Sequence, residues 1–158
     1  MIEFAALVTV ALVILFATID FSRALYDLQV MSGLSRQGGN LASRGSTLSD
    51  AASAVIAGQA PLNLSATGKV IMTTIIDNKG VYTISDQTSV GGMTPAPLSK
   101  LGTGVGNTAT LSLAEQNMLQ SGQSIYVAEV FYSFQPITPI GNLLKIAMPS
   151  TLYEAAYF

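Results

Sequence analysis

The chain opens with sixteen residues, Phe4 to Ile19, in which no side chain is charged and only Thr9 and Thr18 are polar. As a helix this run rises ~24 Å, slightly short of the ~30 Å hydrocarbon core of a bilayer; Met1, Ile2 and a neutralised Glu3 would bring it close. The pattern predicts a membrane-inserted helix bounded by Glu3 and Asp20. The competing readings are a buried core helix and a secretory signal peptide, and the latter lacks a basic n-region and a small-residue cleavage site. Past Asp20, Phe21, Ala24, Leu28 and Met31 recur at helical spacing, while Asp20, Arg23 and Asp27 fall on another face. No turn signal intervenes, so one helix is expected to run through the membrane boundary and onward. Ser32, Ser35, Gly38, Gly39, Ala42 and Gly45 then form a stripe of small residues, which either admits a close neighbour or simply weakens and bends the helix.

Ser46 to Gly58 reads as a second helix or a bent continuation, with a Ser or Thr cap and Gly58 as its stop. From there the period changes from 3.6 to 2. Lys69–Asp77 and Val81–Ser85 flank Asp77-Asn78-Lys79-Gly80, a hairpin signature. Residues 89 to 110 are rich in Gly, Pro, Ser and Thr and read as a long loop. Ser112 and Glu115 have the spacing of a capping box at the start of a short helix. Ser124 to Phe134 is the strongest strand, dominated by β-branched and aromatic residues, and is expected to be central. The Pro136–Pro139 corner must leave the sheet, and Ser150 to Phe158 reads as a final edge strand. The fold class is therefore α+β: a long N-terminal hydrophobic helix, then a head with a three- or four-stranded antiparallel sheet. The expected division is 1–45 for the membrane helix and 46–158 for the head.

Composition sharpens this picture. Of 158 residues, 49% are hydrophobic and only 10% charged, so ordinary solvated surface is scarce and much of it should face lipid or protein. Seven basic residues against nine acidic, with no basic cluster, leave no footprint for a phosphate backbone, and nucleic acid is not an expected partner. The absence of Cys and His removes disulfides, thiolate ligands, the usual zinc ligand and the usual general base. No catalytic residue, metal site or cofactor is expected. Glu129 alone among the acids lies in a strongly apolar segment, and it is read as facing solvent or an interface rather than as catalytic. Gly102-Thr103-Gly104-Val105-Gly106 resembles a phosphate-cradling loop but has no strand before it and no helix opening from it, and is read as a flexible loop.

Glu3 is the one chemically unusual residue. A lone carboxylate at the start of a membrane-spanning run is costly unless paired or protonated. It either marks where the membrane begins or recognises a positive group on another copy of the chain. Glu3-Phe4 and the long apolar run, followed by Asp20-Phe21-Ser22-Arg23-Ala24-Leu25-Tyr26, resemble the N-terminus of TadE-like pilins and pseudopilins, the Tad branch of type IV pilus systems. Glu129-Val130-Phe131-Tyr132-Ser133-Phe134-Gln135-Pro136 and Tyr153-Glu154-Ala155-Ala156-Tyr157-Phe158 are similar to that family's C-terminal strand pattern. By this resemblance Glu3 corresponds to an acid that usually lies fifth in the mature chain and neutralises the N-terminal amine of a neighbouring subunit. No basic leader or Gly cleavage site precedes it, which suggests a processed or shortened chain. Arg23, Arg36 and Arg44 alone would put the head in the cytoplasm, and a basic leader would restore the family's orientation.

The resemblance implies a structural subunit that waits in the bacterial inner membrane. It is then extracted by the pilus assembly machinery and packs beside copies of itself in an extracellular helical filament. The residues expected to carry assembly are Glu3, Phe4, Leu7, Val10, Ala11, Ile14, Leu15 and Thr18. The alternative is a membrane-anchored extracytoplasmic minor pseudopilin or envelope-binding module that does not itself polymerise.

Overall fold

The computed structural model describes residues 2–119, 122–141 and 149–158. Helix α1 (Ile2–Ser43) is one uninterrupted element of 42 residues. Nothing before Gly33 breaks it, since the stretch contains neither Pro nor Gly. Helix α2 (Leu48–Ala57) starts where the Thr47 hydroxyl oxygen accepts the Asp50 N–H at 3.1 Å and stops at Gly58. A short turn of helix, α3 (Leu64–Thr67), leads into strand β1 (Gly68–Asn78), which folds back as β2 (Val81–Val90). Lys79 and Gly80 form the two-residue turn with φ of 57° and 86°, and Asp77 Oδ1 accepts the Gly80 N–H at 2.7 Å. Helix α4 (Leu113–Gln116) opens with a complete capping box between Ser112 and Glu115. Strands β3 (Ser124–Ser133) and β4 (Thr151–Tyr157) complete a four-stranded antiparallel sheet in the order β2-β1-β3-β4. The α+β expectation holds with four strands, β3 central and β4 at an edge. Residues 142–148, between the Pro136–Pro139 corner and β4, lie outside the described residues.

Alternation along the strands gives the sheet two apolar faces. Val70, Met72, Ala128, Val130 and Leu152 pack with Ala24, Met31 and Leu34 of α1 and Ala51, Ala52 and Val55 of α2. The second half of α1 is therefore part of the head's own core. The small-residue stripe is what lets it lie so close: a Cβ on Gly38 would come within 2.8 Å of Val55 Cγ2, and one on Gly39 would collide with the Phe158 ring. Gly33 and Gly45 meet no such neighbour.

The opposite face carries Ile75, Ile84, Ile125 and Val127, and the segment after β2 closes over it with Leu101, Ala109, Leu111 and Leu119. This segment also pairs with the outer edge of β2, where Ile84 N–H reaches Asn107 O at 2.9 Å and Ala109 N–H reaches Tyr82 O at 2.7 Å. The Gly102–Gly106 stretch is not the flexible loop expected from its composition. Gly106 N–H bonds Ile84 O at 2.8 Å, and Gln87 holds both Gly102 O and the Gly104 N–H. Covering an edge strand in this way removes a template for unwanted pairing.

Because both faces of β3 are covered, Glu129 has no solvent side to turn to, contrary to expectation. It is fully buried, and its carboxylate accepts hydrogen bonds from the Ser99 hydroxyl, from Lys100 N–H at 2.9 Å and from the Tyr153 hydroxyl at 3.0 Å. The Lys100 ammonium sits over the Tyr153 ring, 3.4 Å from its centroid. Burial and the neighbouring Glu129 carboxylate push the Tyr153 phenol far above its ordinary range. The cluster ties the covering segment to the centre of the sheet.

Candidate functional site

Among the described residues, the longest stretch that finds no cover is the first half of α1. Its polar groups are satisfied within the helix: Thr9 and Thr18 donate their hydroxyls to Ala5 O and Ile14 O at 2.9 and 2.8 Å. Its apolar side chains are not covered. Phe4 is 73% exposed, Leu7 67% and Ile14 61%, with Val10 and Leu15 close behind. Glu3, Ala11 and Thr18 are exposed as well. At 100° per residue, Glu3, Phe4, Leu7, Val10, Ala11, Ile14, Leu15 and Thr18 occupy one arc of ~140°. All eight expected assembly residues therefore share a face. That face runs on along the helix as Phe21, Ser22 and Leu25, which stay outside the head.

The other side of α1 turns toward the head, and it carries the charges. The expected separation of Asp20, Arg23 and Asp27 from the apolar positions does not hold. Asp20 and Asp27 are buried beside Ala24 and Met31, while Phe21 is 53% exposed. Asp20 is the fastener at the point where α1 enters the head. Its Oδ1 accepts the Ile137 N–H at 2.9 Å and the Thr138 N–H at 3.4 Å, and its Oδ2 accepts the Thr138 hydroxyl. Four turns of pattern reading could not find this role, because the partners lie 117 and 118 residues away. One and two turns on, Arg23 Nη1 and Asp27 Oδ2 are buried without a hydrogen bond, so this seam is less well satisfied than the Asp20 junction.

A long helix with a bare apolar half, entering the head at an acid and bearing an acid in its first turn, is the arrangement expected from the sequence resemblance. Residues 1–40 match the family model of TadE-like proteins. The TadE-like match covers the exposed arm, the Asp20 junction and the packed half of α1 as far as Asn40. It does not reach the Glu129–Pro136 and Tyr153–Phe158 segments. No curated protein and no solved structure matches the chain. Helix α1, whose residues up to Asn40 lie in the matched segment, is the one helix among the described residues long and apolar enough to cross a membrane, consistent with membrane anchoring.

Proposed function

We propose that this TadE-like chain is a pilin-like structural subunit. The arm of α1 holds it in the bacterial inner membrane, and pilus assembly machinery then transfers it into an extracellular filament built from copies of itself. The observation that carries this reading is the uncovered arm. Its nine large apolar side chains from Phe4 to Ile19 are between 37 and 73% exposed, and each would gain ~1 kcal/mol or more on burial, so on the order of 10 kcal/mol per subunit rewards lipid or neighbouring helices. Lipid satisfies the arm before assembly, and the same face on other subunits satisfies it afterwards.

In this reading Glu3 sets the axial register. The first cation along α1 is Arg23, ~30 Å away by helical rise and turned toward the head, so it cannot neutralise Glu3. An N-terminal amine of an adjacent subunit, the partner that the TadE-like resemblance implies, would neutralise it and fix the stagger between copies. The test compares sheared surface filaments and membrane-fraction protein for wild type and Glu3→Ala. The expected result is a loss of filaments with the membrane level unchanged. Equal filament yield would reduce Glu3 to a marker of the membrane boundary. Wild-type chain confined to the membrane fraction would favour a minor pseudopilin or binding module that does not polymerise.

A further inference from the structure

Between Glu3 and Arg36 no charged side chain of α1 is exposed: Asp20 and Asp27 are buried and Arg23 is half-buried against the head. The surface that α1 offers its surroundings is therefore uncharged well past Ile19, where the sequence places the end of the membrane span. Phe21, Leu25 and Tyr26 extend it, with exposures of 53, 47 and 53%. Beside them lies the 135–140 segment of the head, Gln-Pro-Ile-Thr-Pro-Ile, which bears no charge. Its Ile137 is 66% exposed, although its N–H is bonded to buried Asp20. The segment is braced from both sides, by Asp20 and by a turn in which Gly141 N–H bonds Thr138 O at 3.0 Å and Gly141 packs against Pro136. An exposed isoleucine is thus held at the level where α1 leaves the hydrocarbon.

We propose that the 135–140 loop is a membrane-interface wedge: Ile137, with Phe21 of α1, seats the base of the head in the headgroup boundary of the bilayer that α1 spans. Length supports lipid as the occupant. Phe4 to Ile19 alone rises ~24 Å, about four residues short of a ~30 Å core, and continuing to Arg23 closes that gap. Carrying an acid to that depth is costly unless it is shielded. The loop supplies the shield, because it surrounds Asp20 with three donors and leaves it no exposed surface. At the far end of the head the Phe158 ring packs on Gly39, about 28 Å up the helix from Asp20 by rise, so only the loop end of the sheet can touch the membrane.

This inference rests on α1 spanning a membrane, and the experiment separates the two. The chain has no Trp, so a single introduced indole reports alone. Full-length I137W, V13W and L113W are reconstituted at low protein-to-lipid ratio in phosphatidylcholine–phosphatidylglycerol vesicles whose acyl chains are brominated either near the headgroup or near the chain end. Leu113 is 78% exposed and lies in α4, near the β4 end remote from the loop. The expected result is that I137W loses about half its emission to shallow bromines, as an insertion of ~5–10 Å requires, while V13W responds to deep bromines and L113W to neither. Quenching of V13W with none of I137W would overturn the wedge and leave the span standing. Absence of quenching in V13W would overturn the span and the wedge with it. If aqueous iodide reaches I137W at low protein density and loses access only as density rises, a second copy rather than lipid covers Ile137, and the proposal fails.

Discussion

Replacing Glu129 by Ala should loosen the segment that covers the back of the sheet, and the structure allows the size of the effect to be worked out. The carboxylate serves three donors: the Ser99 hydroxyl, Lys100 N–H and the Tyr153 hydroxyl. In Glu129→Ala all three lose their acceptor, and each buried donor left unsatisfied costs ~1–3 kcal/mol. The two hydroxyls can rotate toward other acceptors, and Lys100 is an exposed residue whose amide can reach water. The full sum is therefore not expected, and a loss of ~3–5 kcal/mol, near the lower end of that sum, is the appropriate figure. Glu129→Gln keeps the shape and one acceptor oxygen; with that oxygen facing Lys100 and Tyr153 only the Ser99 donor loses its acceptor, one of three, so it should cost roughly a third as much. Urea titration of the full chain in detergent micelles, followed by tyrosine emission, gives the free energies. Amide exchange locates them, with the largest loss of protection expected at Leu101, Ala109 and Thr110, whose amides hold the covering segment. A Glu129→Ala variant within ~1 kcal/mol of wild type, with unchanged protection at those amides, would refute the view that this acid ties the segment down.

Four further outcomes are expected from stability measurements of the same kind. Gly38→Val should destabilise by ~1–3 kcal/mol, because its Cβ would sit 2.8 Å from Val55 Cγ2, whereas Gly33→Ala, with no neighbour within 4 Å, should stabilise by up to ~1 kcal/mol. Lys79→Gly should raise the urea midpoint by an amount worth up to ~1 kcal/mol, since Lys79 holds φ at 57° in the hairpin turn; a lower midpoint would contradict the turn assignment. Burial pushes the Glu115 carboxyl up, but hydrogen bonds from the Tyr157 hydroxyl and from Ser112 outweigh it and hold the pKa below its ordinary value. A depressed carboxyl stabilises the fold above the ordinary Glu pKa of about 4.3 and loses that contribution as pH falls through the folded value, so wild type should decline more steeply on acidification than Glu115→Gln. Parallel acid limbs for the two proteins would count against this.

The elements that were legible in the sequence are those fixed by nearby residues. Thr47 and Gly58 bound α2, Ser112 and Glu115 open α4, and Asn78-Lys79-Gly80 turns the hairpin, each by contacts spanning a few positions. The apolar arm and the common face of the eight residues expected to carry assembly were legible for the same reason, since a helix places residues three and four apart on one face whatever lies beyond it. What escaped were pairings set by the tertiary fold. Glu129 looked like a surface acid because its strand pattern does not reveal that a segment 30 residues away in sequence folds over it. The Gly-rich 102–106 stretch looked flexible because its anchors, Gln87 and Ile84, belong to another strand.

The charges of α1 were misplaced for a more instructive reason. Pattern reading assumes that a helix leaving a membrane turns its charges to water and its apolar residues to the core. Here the core-facing side of α1 is shared by Ala24 and Met31 with Asp20 and Asp27, while Phe21, Leu25 and Tyr26 point away from the head. In a subunit meant to remain alone in water this inversion would expose apolar surface and bury ions at a cost on both sides. It becomes favourable when the outer face has an apolar partner along its whole length and the inner face supplies donors, as the 135–140 loop does for Asp20. In the proposed function one arrangement would serve both surroundings of α1. The hidden acid leaves an uncharged outer stripe, running from Phe4 through Leu25, that lipid would cover first and neighbouring helices once lipid is withdrawn. Asp20→Ala would remove the acceptor but leave the stripe intact, so it should free the 135–140 loop without reducing membrane insertion of the arm. Loss of insertion in that variant would show that the stripe and the junction do not act separately.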